Sequence, residues 1–117
     1  DPLGQPMVHL AADNGAAMGF VAGPDIPDWQ SRDLKMLDIE LLFDGEVVSE
    51  GMPMPARCDE RWSLAWIVNH FSARGVDIKA GDLMTTGAAA TPKPLGEARD
   101  VVARFGGVGD VHVTVEG

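Results

Sequence analysis

Asp44-Gly45 constrains this chain more than any other pair of residues. Both residues tolerate positive φ, and a two-residue turn of that type twists in the sense that suits the strands on either side. The flanking runs Asp38–Phe43 and Glu46–Glu50 then become the arms of a hairpin. In the first arm Ile39, Leu41 and Phe43 fall on one face, and Asp38, Glu40 and Leu42 on the other. Met52-Pro53-Met54-Pro55 cannot continue the ladder, because proline brings no N–H. A second hairpin is expected from Arg99–Phe105 and Val111–Glu116 around Gly106-Gly107-Val108-Gly109-Asp110, with Val111, Val113 and Val115 inward and His112, Thr114 and Glu116 outward. Those glycines join two strands and open no helix, so they are no dinucleotide fingerprint.

Between the hairpins lies one strong helical signal. Asp59 suits an N-cap and Glu60 the first turn, and Trp62, Trp66, Ile67, His70 and Phe71 recur at helical spacing as far as Gly75. The spacing predicts an amphipathic helix whose tryptophans are core. An alanine-rich helix end over Leu10–Ala17, a short buried strand over Gly19–Ala22, a polar loop from Asp25 to Lys35, and a strand over Leu83–Thr86 that stops at Gly87 complete the reading. The expected class is α+β and strand-dominated, with residues 1–117 forming a single domain.

Charge and composition exclude several functions. Eighteen acidic residues against nine basic ones give a net charge of −9, a field that repels a phosphate backbone, so nucleic acid is not an expected partner. No run approaches the length of a membrane span, and no basic stretch followed by an apolar one marks a leader. The lone Cys58 cannot close a disulfide within the chain, which fits a cytoplasmic protein. His9, His70 and His112 are too scattered for a metal motif, and Asp25, Asp28 and Asp33 do not have EF-hand spacing. No Gly-x-Ser-x-Gly elbow is present. The residues best suited to chemistry are Thr85-Thr86-Gly87, where a hydroxyl followed by glycine can offer an anion both its side chain and a backbone N–H.

Five segments in order resemble the fumarylacetoacetate hydrolase superfamily in its C-terminal half. Ala12-Asp13-Asn14-Gly15 with Gly19-Phe20-Val21-Ala22-Gly23 is similar to an Ala-Asp-Asn segment and the strand after it. Phe43-Asp44-Gly45-Glu46-Val47-Val48 through Gly51 resembles a signature hairpin, and Leu64-Ala65-Trp66-Ile67-Val68-Asn69 an Ala-Trp-Leu-Ala-Asn helix. Lys79-Ala80-Gly81-Asp82 through Thr86-Gly87 resembles a Gly-Asp-Ile-x-Leu-Thr-Gly tract, and Phe105-Gly106-Gly107-Val108-Gly109 a closing turn. The nearest branch is that of the 2-hydroxypenta-2,4-dienoate hydratases and 4-oxalocrotonate decarboxylases. Asp59-Glu60-Arg61-Trp62 departs from the Gly-x-Pro that usually opens the helix, and Gly96-Glu97-Ala98-Arg99-Asp100 from the Gly-Asp before the penultimate strand.

The resemblance implies a mixed β-roll, and a lyase of aromatic-compound catabolism that acts on 2-oxo or 2-hydroxy dienoic acids with Mg²⁺ or Mn²⁺. A cation chelated by the substrate carboxylate and 2-oxygen stabilises the dienolate formed as water adds or carbon dioxide leaves. The family's acidic ligands precede the Ala-Asp-Asn segment, so no metal ligand is assigned here and tight cation binding by this chain is not expected. The resemblance makes Thr86 and Gly87 the residues that hold the substrate carboxylate, with Asp13 and Asn14 ordering the pocket wall. It also implies a partner: a missing N-terminal half, a further subunit, or a homo-oligomer. Two alternatives stand beside it. One is a non-catalytic binding or assembly module that kept the fold. The other is an acylpyruvate-type C–C hydrolase, disfavoured because Ala88-Ala89-Ala90-Thr91-Pro92 lacks that branch's Thr-Pro-x-Gly-Val-Gly.

Overall fold

A computed structural model describes residues 19–35, 37–57 and 59–116. The helix end expected over Leu10–Ala17, the pair Asp13 and Asn14, and Cys58 lie outside the described residues.

Four strands form one sheet: β1 (Ile39–Phe43), β2 (Glu46–Glu50), β3 (Asp100–Phe105) and β4 (Gly109–Thr114), in the order β2-β1-β3-β4. Every pairing is antiparallel. The expected β1–β2 turn is present, with φ of 49° at Asp44 and 86° at Gly45. It carries more than a change of direction. The Asp44 carboxylate accepts from the backbone N–H of Arg99 (3.0 Å) and of Asp100 (2.8 Å), and its own N–H donates to Asp100 O (2.8 Å). The turn is thereby fastened to the start of β3.

Register places the apolar residues together. Ile39 faces Phe105, Leu41 faces Ala103 and Phe43 faces Val101, while Ala103 and Val101 face Val111 and Val113 across β3–β4. These positions share one face, because alternate residues point to the same side. On the opposite face Arg104 sits directly between Glu40 and Asp110, giving ion pairs of 2.9 and 3.6 Å across three strands. Leu42 and Val102, also paired on that face, are buried, as is Ile39 on the apolar one. Between Leu41 and Leu42 the β1–β2 register slips by one residue, so that Leu41 pairs with Ser49 and Leu42 with Val47.

Helix α1 (Glu60–Ser72) begins where expected, the Asp59 carboxylate accepting from the Arg61 N–H at 3.0 Å. It ends just before Gly75, whose φ is 70°. The expectation that its tryptophans are core is overturned: Trp62 is 78% and Trp66 62% exposed, and no residue of α1 is buried. Among the described residues no strand packs against the helix, so the apolar stripe has nothing to bury itself in. Trp66 instead stacks on His70 one turn along, ring centroids 4.5 Å apart.

Two expected strands are absent as well. Gly19–Ala22 and Leu83–Thr86 are irregular, since neither run meets an unpaired strand edge within the described residues. The polar segment after Asp25 is a loop containing one 3-10 turn, Trp29–Ser31. The α+β, strand-dominated class holds.

Candidate functional site

The tract from Thr86 to Pro92 lines one side of a partly open cavity of about 380 Å³, whose other side includes apolar residues of the sheet. It is held there by the end of β2. Gly51 bridges to Ala90, the Met52 N–H donates to Ala89 O at 2.8 Å, and the buried Ser49 hydroxyl donates to Thr91 O at 3.0 Å. Ile39, Leu41, Ala103 and Phe105 supply the cavity's apolar side, Thr86, Gly87 and Thr91 its hydroxyls and a glycine backbone. Apolar walls with a few convergent polar groups are the usual make-up of a small-molecule site.

Thr86 and Gly87, expected from sequence, therefore do line a cavity together. Gly87 has a φ of 114°, a conformation that favours glycine over any residue with a Cβ. The two residues also border a second, more open groove of about 540 Å³ with Trp62, Trp66 and Ile67 of α1. Asp13 and Asn14 lie outside the described residues, so their place relative to the cavity is not part of the description.

Arg57 and Glu60 also belong to the lining, with Leu34, Leu37 and Glu40, and sequence reasoning missed both as site residues. Arg57 is only 5% exposed. Its Nη1 donates to Leu37 O at 2.8 Å and its Nε to Glu60 Oε1 at 2.9 Å, with Nη2 donating to the same oxygen. Burial works to raise the Glu60 carboxyl, but its own backbone N–H and the Arg57 guanidinium outweigh that and hold it below the ordinary glutamate value. The pair ties the chain before β1 to the first turn of α1. A trace of it was present in the sequence: an arginine three residues before an acid that opens a helix.

Arg57 also lines a larger, more polar cleft of about 630 Å³ with Asp38, Glu40, Glu50 and Arg104. That cleft has carboxylates but no chelating set. Among the described residues no group of three or more His, Cys, Asp or Glu side chains comes together in a way that could hold a metal ion. Among the described residues, too, no helix is long and apolar enough to cross a membrane.

No protein-family model matches the chain, and no solved structure matches it significantly. Curated relatives do. The chain is 26% identical over 102 residues to a 4-oxalocrotonate decarboxylase of Pseudomonas sp. (strain CF600), a match covering 87% of the chain and 39% of the relative. It is 29% identical over 103 residues to a 2-keto-4-pentenoate hydratase of Burkholderia vietnamiensis, covering 88% of the chain and 39% of that protein. A 2-hydroxyhexa-2,4-dienoate hydratase of Comamonas testosteroni is 27% identical over 105 residues, with 40% of its length covered. The chain thus spans about two fifths of the length of the curated relatives it matches. Decarboxylases and hydratases of one kind are what it is similar to, and its motif-level resemblance to the hydratase and decarboxylase branch is borne out by them.

Proposed function

We propose that the chain is part of a divalent-metal-dependent hydratase or decarboxylase acting on 2-oxo or 2-hydroxy dienoic acids, and that the cavity between the sheet and the Thr86–Pro92 tract receives the substrate. The observation that carries this reading is the meeting of two independent lines. The relatives' names specify unsaturated 2-oxo and 2-hydroxy acids, and Thr86-Gly87 lies in an apolar cavity of a size for such a molecule. In this reading the Thr86 hydroxyl and the Gly87 N–H hold the substrate carboxylate, and the apolar walls take the carbon chain and exclude water. The cation, Mg²⁺ or Mn²⁺, is held by carboxylates outside the described residues, supplied in the same polypeptide or by a partner subunit. The sheet and helix are one side of a β-roll that those other residues complete.

The test is a chimera in which the chain is joined to the part of a matched relative that it does not cover. Once folding is verified by circular dichroism, the reading predicts Mg²⁺- or Mn²⁺-dependent consumption of 2-hydroxypenta-2,4-dienoate, or carbon dioxide release from 4-oxalocrotonate. A folded chimera that does neither contradicts it.

A further inference from the structure

A guanidinium with 5% exposure is rare enough to need a reason beyond packing. Arg57 is the single cation in the lining of the 380 Å³ cavity, and that lining also carries Thr86 and Gly87. Its ion pair with Glu60 is not the two-oxygen fork that an arginine and a carboxylate form at their best, because Nε and Nη2 both go to Oε1. Among the described residues the five N–H bonds of the guanidinium serve two acceptor atoms, Leu37 O and Glu60 Oε1. The Glu60 side chain is 32% exposed, so that it can yield to, or share the guanidinium with, a second carboxylate. The cavity therefore has two separate places for negative charge, Thr86-Gly87 and Arg57, and the rest of its lining includes Ile39, Leu41, Ala103 and Phe105.

We infer that Arg57 is a specificity-determining residue that receives a second carboxylate, so that the cavity prefers a dicarboxylic 2-oxo acid to a monocarboxylic one. The inference rests on the reading that Thr86 and Gly87 hold the first carboxylate. It bears on the two reaction types left together above, because 4-oxalocrotonate, named for the decarboxylase relative, carries a carboxylate at each end and 2-keto-4-pentenoate, named for a hydratase relative, carries one. Net charge opposes the inference, since the chain carries −9 and the lining holds Glu40 as well as Glu60. What offsets it is that Glu60 is matched by Arg57 and Glu40 is drawn to Arg104, outside the lining.

The experiment is an NMR titration of the ¹⁵N-labelled chain at constant ionic strength with two six-carbon probes, 2-oxoadipate and 2-oxohexanoate. The two differ in the far carboxylate alone. The expected result is that 2-oxoadipate binds at least about tenfold tighter, the size of one hydrogen-bonded contact between charged groups. It should shift the Arg57 Nε–H resonance together with the Thr86 and Gly87 amides. Arg57→Gln should remove the preference, read as the ratio of the two affinities. Should that variant fail to fold, the Arg57 Nε–H signal of the unaltered chain still decides. If both probes shift Thr86 and Gly87 equally and Arg57 does not move, the inference is wrong and the functional reading survives. If Thr86 and Gly87 respond to neither probe at tens of millimolar, the inference is wrong for this chain, and the chimera decides the functional reading separately.

Discussion

Asp44 shows how much one side chain can fasten. Its carboxylate is held below the ordinary aspartate value of 3.8, first by the Asp100 N–H and then by the Arg99 N–H. A carboxyl whose folded pKa lies below its unfolded one contributes stability that is whole above the unfolded value and is lost as pH falls through the folded one. Asp59, brought down to about 2 chiefly by hydrogen bonds from the Arg61 side chain, acts in the same direction. The melting temperature of the chain should therefore fall as pH drops below about 4, and Asp44→Asn should lower it at neutral pH while flattening that decline. Thermal scans between pH 2 and pH 7 check this; an unchanged slope in the variant would show that the turn is not locked through charge. At this scale the sequence was only half legible. Asp44-Gly45 announced the turn, because the backbone demand is local. The carboxylate's grip on residues 55 and 56 positions away did not show, since it depends on where β3 lands. Arg57 left only the trace of its spacing to Glu60, because the approach of Leu37 O, 20 residues back, depends on the fold.

At the scale of elements, both hairpins and the helix could be read, and for a common cause. Each is specified by neighbours in sequence: a two-residue turn, a glycine-rich turn, a capping aspartate. Alternation within the last arm also held, with Val111, Val113 and Val115 partly covered and His112, Thr114 and Glu116 exposed. What failed was the burial of the helix and the pairing of two short runs. Helical spacing of Trp62 and Trp66 establishes that one face is apolar, not that anything covers it, and both are exposed. The runs 19–22 and 83–86 are apolar enough for strands but do not pair with the edges of β2 or β4. Trp66→Ala should accordingly cost this chain less than about 1 kcal/mol, the loss of an exposed stack on His70, rather than the roughly 3–5 kcal/mol of a core aromatic. Denaturant titration measures it. A loss above about 2 kcal/mol would mean that the helix is covered in solution.

The whole molecule has a sheet with apolar residues on one face, a helix with its tryptophans in solvent, and three buried apolar side chains among the described residues, Ile39, Leu42 and Val102. Exposed aromatic surface of this kind associates, as do the outer edges of β2 and β4 with their unpaired backbone groups. Light scattering at micromolar concentration is expected to show a dimer or larger species, and Trp62→Gln with Trp66→Gln to shift it toward the monomer. A monomeric unaltered chain would remove homo-oligomerisation from the proposed partners and leave the complementary portion of the relatives as the surface the helix meets.

The central claim is that Thr86-Gly87 holds a substrate carboxylate, and kcat/KM of Thr86→Val in the active chimera tests it most directly. The substitution keeps the shape and removes the hydroxyl donor. A hydrogen bond to a charged group is worth about 1.5–3 kcal/mol, so kcat/KM should fall on the order of 10- to 150-fold while the melting temperature moves by no more than about 3 °C. Unchanged kinetics with a lowered melting temperature would make Thr86 a structural residue and contradict the account.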